Sequence, residues 1–173
     1  RSRGLGDVYK RQVLEKCSEF FYIDEKEGTD TMEDDLKKLY DEGKKAFGFY
    51  CGKGEWFLLT LKNIDIMSQM LPDVSKASQS LDVSVLHTLI LEKIFGIDKE
   101  NMAKQINLTY TKFFTEAIDG VDKGEFQCSF VLNPTRVTEI RDVAAAGEKM
   151  PQKSTYFYPK MITGMVMNNL GVD

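Results

Sequence analysis

Two aromatic, β-prone runs joined by a glycine-containing turn constrain the fold of this chain more than any other feature. The first run spans Ala46 to Cys51, the second spans Trp56 to Lys62, and Gly52-Lys53-Gly54 lies between them. Glycine permits the positive φ angles that tight hairpin turns require. The pattern therefore predicts a β-hairpin.

Helices and further strands flank this hairpin along the chain. Apolar residues at helical spacing predict helices over Met32–Tyr40, Asp82–Phe95, Lys112–Val121 and Val137–Ala146. Strands are predicted over Phe20–Ile23, Ile106–Thr111 and Phe126–Leu132, and polar loops over Glu25–Thr29 and Ser75–Ser80. Asp82 or Ser84 is expected to cap the second helix, and Thr135 the fourth. Because helices and strands alternate and a hairpin interrupts them, we expect an α/β or α+β fold, with a mixed sheet, a β-hairpin and flanking helices.

The size and composition of the chain fit a single globular domain. Its 173 residues are 42% hydrophobic and 29% charged, which suffices to bury a core. Acidic residues outnumber basic ones by 27 to 23, which argues against nucleic acid as a partner of this portion while leaving a local basic pocket open. No apolar run approaches the roughly 18 residues of a membrane helix, so no membrane partner is expected.

The cysteine and histidine content bears on metal sites and on compartment. Cys17, Cys51 and Cys128 are odd in number and form no Cys-x-x-Cys pair, and His87 is the sole histidine. This pattern supports neither a zinc knuckle nor a disulfide framework, so no metal is assigned and a cytoplasmic location is expected.

Residues 1–12 have neither helical nor strand periodicity. One set of codons for Asp7 to Gln12 is the end sequence of a transposon adapter used to prepare sequencing libraries. We therefore predict that residues 1–12 are a translated adapter and that residues 13–173 are the native part of the chain. The alternative is a natural disordered N-terminus.

One polar segment near the C-terminus stands out chemically. Met150 to Lys160, MPQKSTYFYPK, contains two prolines, two lysines, two hydroxyl residues and three aromatic residues. Lys153, Ser154, Thr155 and Lys160 offer the ammonium and hydroxyl groups that bind phosphate or carboxylate oxygens, so they form the predicted anion-binding site. The alternative is that Tyr156, Phe157 and Tyr158 fill the core while the lysines lie on the surface.

His87 is the candidate acid–base residue, because it is the only histidine in the chain. It lies at the edge of the apolar face of the helix predicted over Asp82–Phe95. The alternative is a buried histidine with a purely structural role. Asp119 and Asp122 fit a helix end and a tight turn better than a metal site.

Several long motifs resemble a known family at once. MPQKSTYFYPK followed by MITGMV is similar to the C-terminal signature of the bacterial family numbered 1015 among domains of unknown function. LDVSVLH (Leu81–His87), AIDGVDKGEFQCSFVLNPT (Ala117–Thr135) and VAAAGEKM (Val143–Met150) fit the same family in the same order. The resemblance extends from about Leu36 to Met167.

The resemblance implies that the chain is incomplete and suggests two functions. Members of the family are longer, with an N-terminal half that resembles the ParB and sulfiredoxin fold. Because some relatives of that fold bind nucleotides and transfer phosphoryl groups, one implied function is a small-molecule phosphotransferase that uses ATP or ADP with Mg²⁺. The alternative is a non-catalytic regulatory or ParB-like binding protein.

Overall fold

The computed structural model describes residues 6–151, 153 and 154, together with the backbone of residues 164–168. Within these residues six strands form one sheet, and they are β1 (Phe21–Glu27), β2 (Ala46–Gly52), β3 (Glu55–Leu61), β4 (Leu108–Thr111), β5 (Cys128–Leu132) and β6 (Gly164–Asn168). Their spatial order is β1-β3-β2-β5-β6-β4, and every neighbouring pair is antiparallel.

Short helices cover both faces of this sheet. Those in the described residues are α1 (Asp7–Cys17), α2 (Met32–Asp41), α3 (Ile66–Met70), α4 (Lys76–Gln79), α5 (Asp82–Val85), α6 (Lys99–Lys104), α7 (Phe114–Asp122) and α8 (Val137–Ala145). A π-helical turn over Leu86–Glu92 continues α5. The predicted fold class, a mixed α/β protein with a hairpin and flanking helices, is confirmed. No helix among the described residues is both long and apolar enough to cross a bilayer.

The predicted β-hairpin is formed by β2 and β3. Phe49 pairs with Phe57 and Tyr50 with Trp56 across the two strands. Lys53 and Gly54 make the turn with φ angles of 58° and 78°, both in the left-handed region that hairpin turns use. A Gly at the second position satisfies this geometry without strain, which is why the turn forms here.

The first face of the sheet is buried under α1, α3, α5 and α6. Phe49 of β2 stacks on Phe130 of β5, with ring centroids 4.8 Å apart, and Phe95 meets Phe130 edge-on at 5.6 Å. Aromatic pairs in these geometries add to the stability that burial itself provides. This apolar core fixes α5 and its π-helical continuation across the strands.

The second face is buried under α2 and α7. Met32 of α2 lies so close to β2 that a Cβ atom added at Gly48 would sit 2.7 Å from the Met32 sulfur. The missing side chain at Gly48 therefore lets α2 approach the sheet. This approach places the C-terminal end of α2, with Tyr40 and Asp41, beside the start of β2.

A smaller apolar cluster joins α8 to the helices at the first face. Leu81 and Val83 of the α5 region pack with Val143 of α8. At the far end of α8, Glu148 accepts hydrogen bonds from the Ser75 N–H, 2.8 Å away, and from the Ser75 and Ser78 hydroxyls. These contacts hold α8 across the end of the sheet where β5 finishes.

Several local predictions are wrong. The predicted loop Glu25–Thr29 overlaps β1, which continues to Glu27 because an edge strand tolerates charged side chains. The predicted loop Ser75–Ser80 contains α4, whose first turn is capped by the Ser75 hydroxyl. Thr135 does not cap α8, because its hydroxyl donates to the Ser154 carbonyl instead.

The N-terminal segment also differs from expectation, because α1 begins at Asp7. Tyr9 packs edge-on against Phe95, with centroids 6.4 Å apart, and the Lys10 ammonium lies 2.8 Å from a Glu55 carboxylate oxygen. Asp7 to Gln12 are therefore helical although their sequence lacks helical periodicity, and the alternative of a disordered N-terminus does not hold for them. Their origin in an adapter stays a prediction.

Candidate functional site

The predicted anion-binding residues are only partly described. Lys153 is exposed and has a φ angle of 63°, and the Ser154 hydroxyl donates to the Pro151 carbonyl, closing a tight turn. Thr155 and Lys160 lie outside the described residues, as do the aromatic residues of the same segment. The Ser154 hydroxyl is thus engaged within its own turn, whereas the Lys153 side chain is exposed.

A hydrogen bond fixes the position of this turn in the fold. The Thr135 hydroxyl donates to the Ser154 carbonyl oxygen over 3.1 Å. Thr135 lies between the end of β5 and Arg136, the N-cap residue of α8. Lys153 and Ser154 therefore lie beside the start of α8.

His87 lies elsewhere in the fold, on the π-helical turn. Its Nε2 atom is 3.5 Å from the Tyr110 hydroxyl of β4, and the two rings meet edge-on. Burial lowers the pKa of His87 to about 4, so the ring is neutral at pH 7. The contacts that the structure gives for His87 do not connect it with Lys153 or Ser154.

Five residues that the sequence did not single out as a site converge at the start of α8. We call them the Lys45 cluster, and they are Tyr40, Lys45, Asp82, Arg136 and Glu139. They come from the end of α2, the residue before β2, the first residue of α5, and the first turn of α8. The cluster therefore lies at the end of the sheet where β2 begins and β5 finishes.

Lys45 is the centre of the cluster. Its Nζ atom is 3.1 Å from Asp82 Oδ1 and 3.5 Å from Glu139 Oε1, and its side chain is largely buried. The Tyr40 hydroxyl donates to Glu139 Oε2 over 2.5 Å, and the Arg136 N–H donates to the same oxygen over 2.8 Å. Glu139 is thus satisfied by several donors, while Asp82 depends on Lys45.

Asp82 is the most unusual member of the cluster. Its exposed fraction is 6%, and neither carboxylate oxygen has a hydrogen-bond partner among the described residues. Its close charged neighbour in the described part of the chain is Lys45, whose Nζ atom lies 3.1 Å from Oδ1. Burial raises the pKa of Asp82 to about 6, while the Lys45 ammonium opposes the rise and the Glu139 charge adds to it. Asp82 therefore titrates closer to neutrality than an ordinary aspartate.

The outer side of the cluster carries a guanidinium group. The Arg136 Cζ atom lies 4.0 Å from the centroid of the Tyr40 ring, and Arg136 Nη2 is 2.5 Å from Asp41 Oδ1. The side chains of Arg136 and Asp41 are about half exposed. Burial and the Glu139 hydrogen bond both raise the pKa of Tyr40 above its usual value, so its phenol stays protonated.

The thiols and acidic side chains give no metal site in the described part of the chain. There, no group of three or more histidine, cysteine, aspartate or glutamate residues is arranged to hold a metal ion. The three cysteines are buried in the core, and burial raises the pKa of Cys17 and of Cys51 to about 12. The thiols are therefore protonated and unreactive at neutral pH.

Sequence reasoning missed the Lys45 cluster because its members are far apart in the chain. Asp82 was expected as a helix cap, but it is the first residue of α5 and its carboxylate faces Lys45. The local sequence indicated only the helix start, because Glu139 stands three residues after Arg136, in the position of a capping-box carboxylate.

Comparisons with known proteins returned no match to a family model, to a curated protein or to a solved structure. The resemblance to the bacterial family numbered 1015 therefore stays a prediction.

Proposed function

We propose that the chain is the C-terminal part of a small-molecule phosphotransferase that uses ATP or ADP with Mg²⁺, with its site at the start of α8. The observation that carries the proposal is the Thr135–Ser154 hydrogen bond. It places the turn that bears Lys153 beside Arg136 and beside the Lys45 cluster. Lys153 and Ser154, the described anion-binding candidates, thus lie near Arg136 of the buried cluster.

The cations of this region suit the binding of phosphate oxygens. Lys153 is exposed and Arg136 is half exposed, so both side chains are available to a ligand. Within the described residues Arg136 makes one ion pair, to Asp41, and its planar guanidinium has further N–H donors. Phosphoryl transfer depends on such groups, because they stabilise charge on the phosphoryl oxygens in the transition state.

Binding of nucleotide to the protein encoded by the full gene tests this proposal. Isothermal titration with ATP, ADP and GTP, each with Mg²⁺, is compared for the wild type and for Arg136→Ala and Lys153→Ala. We expect binding by the wild type and a Kd raised about tenfold in each variant, the loss of one charged contact. Lys104→Ala is the matched control, because Lys104 is an exposed lysine that pairs with Glu100 in its own helix.

The outcomes separate the candidate functions. A wild type that binds no nucleotide contradicts the proposal, as does a Kd that neither Arg136→Ala nor Lys153→Ala changes. Nucleotide binding without any phosphoryl transfer favours a non-catalytic regulatory protein.

A further inference from the structure

Within the proposed function, on which this inference rests, we propose that Asp82 accepts the proton from the hydroxyl group of the phosphoryl acceptor and that Lys45 is its positioning residue. The class of acceptor is therefore a small molecule with a free hydroxyl group. His87, the base candidate from the sequence, has no part in this step.

The unpartnered carboxylate of Asp82 is the first support. Buried polar atoms in proteins nearly always have hydrogen-bond partners, and an exception calls for a specific explanation. Asp82 is more than nine-tenths buried, yet both of its oxygens lack a hydrogen bond among the described residues. A carboxylate accepts hydrogen bonds and does not donate them, so a ligand group that binds Asp82 must be a donor, such as a hydroxyl group.

The charges around Asp82 are the second support. Lys45 faces it from the start of β2, Tyr40 from α2, and Arg136 and Glu139 from α8. The two cations favour the ionised carboxylate, whereas burial and Glu139 favour the protonated one. The result is a pKa of about 6, so Asp82 is ionised at pH 7 and still basic enough to accept a proton.

The chemical step balances without any further reactant beyond the nucleoside triphosphate and the alcohol. The O–H bond of the acceptor breaks and its proton passes to Asp82. The acceptor oxygen forms a new bond to the γ-phosphorus as the bond to the β,γ-bridging oxygen breaks. The bridging oxygen keeps that electron pair and leaves as part of the diphosphate.

Access to Asp82 requires a side chain to move, because its carboxylate oxygens are shielded from solvent. Arg136 is half exposed and is held by the Tyr40 ring and the Asp41 carboxylate, so within this proposal its side chain is the one expected to move when an anionic group binds.

Steady-state kinetics of the protein encoded by the full gene test the assignment. The probe is ATP with Mg²⁺, with water or glycerol as the acceptor, and ADP release is followed from pH 5 to pH 9. We expect Asp82→Asn to lower kcat about 100-fold or more while the KM for ATP changes less than about twofold. Asp82→Glu should recover part of kcat, because it restores the carboxylate.

The pH profile distinguishes a base from a structural residue. The wild-type kcat should fall below an apparent pKa near 6, and Asp82→Asn should lose this acidic limb. The matched control is Glu55→Gln, because Glu55 is also a partly buried carboxylate paired with a lysine, Lys10 at 2.8 Å. It should keep both kcat and the limb.

Each result bears on one proposal or on both. If the wild type releases ADP and Asp82→Asn keeps its kcat and its acidic limb, the assignment of Asp82 is overturned and the phosphotransferase proposal stands. If the wild type neither binds nor consumes nucleotide, both proposals fall. A raised KM with unchanged kcat in Asp82→Asn likewise overturns the assignment.

Discussion

Lys45 Nζ lies 3.1 Å from Asp82 Oδ1, and this ion pair is the one close charged contact of a carboxylate that is otherwise unpartnered among the described residues. The pair joins the start of β2 to the start of α5 at the end of the sheet. Burying two charges costs more than their attraction usually returns, so such a pair is weak evidence of a purely stabilising role.

Asp82→Asn should change how stability depends on pH. The folded pKa of Asp82 is about 6 and its ordinary value is 3.8, so the folded state binds the proton more tightly than the unfolded state. The stability from this group is fully present below pH 3.8 and is lost as pH rises through about 6. For a pKa shift of about two units, the free energy of unfolding that is lost in this way is at most about 3 kcal/mol.

Urea denaturation of the wild type and of Asp82→Asn between pH 3.5 and pH 8 measures this effect. The variant should lose less free energy of unfolding across that interval than the wild type loses. Equal losses in the two proteins would show that the folded pKa of Asp82 is ordinary.

Lys45→Met should destabilise the protein more at pH 8 than at pH 5. At pH 8 the variant leaves an ionised carboxylate buried without its cation, which costs about 3 to 5 kcal/mol. At pH 5 Asp82 is largely protonated, so the cost is smaller. Thermal unfolding at the two pH values checks the difference, and an equal loss at both would contradict the account.

Lys104→Met is the control for the loss of a lysine pair. Lys104 and Glu100 are exposed and lie one turn apart on α6. Such surface pairs contribute about 0.3 to 0.5 kcal/mol, so the unfolding temperature of this variant should be close to that of the wild type at either pH.

His87 should show no titration near neutral pH. Burial lowers its pKa to about 4, and it is the only histidine of the chain, so its ring signals need no further assignment. Proton–nitrogen NMR spectra of the ring from pH 5.5 to pH 8.5 should show the neutral form throughout. A midpoint near 6.5 would mean that the ring is accessible to water.

Gly48→Ala should destabilise the packing of α2 on β2. The new Cβ atom would lie 2.7 Å from the Met32 sulfur, so the Met32 side chain or the helix must shift. Overpacking of this kind costs about 1 to 3 kcal/mol. Chemical denaturation checks the loss, and a Gly48→Ala/Met32→Ala double variant should show coupling between the two positions. Additive losses would contradict a direct contact.

Features set by neighbouring residues were predictable from the sequence. The hairpin follows from two β-prone runs and a Lys53-Gly54 turn, and α2 and β5 follow from periodicity and from a compact apolar run. The π-helical turn over Leu86–Glu92 could not be predicted from the sequence, because its pattern of apolar residues is the same as that of an α-helix. The sequence predicted too short a strand β1, because exposed charged residues are typical of loops as well as of edge strands.

The Lys45 cluster was not predictable for a different reason. Lys45 precedes β2, Asp82 begins α5 and Glu139 lies in α8, so only the packing of these elements at the end of the sheet brings the three residues together. The sequence instead drew attention to Lys153 and Ser154, which it marks by an unusual local composition. The Thr135–Ser154 bond shows that the two regions are neighbours, and no local pattern contains that information.

The ionisation of the Asp82 carboxyl group tests the central claim most directly. Carbon NMR of protein labelled at the aspartate side-chain carboxyl carbon, with Asp82 assigned by its absence in Asp82→Asn, follows this group from pH 3 to pH 8. The geometry predicts a midpoint near pH 6, since the group is buried and balanced by Lys45. A midpoint at or below the ordinary value of 3.8 would show a solvated or fully paired carboxylate and would contradict its role as the proton acceptor.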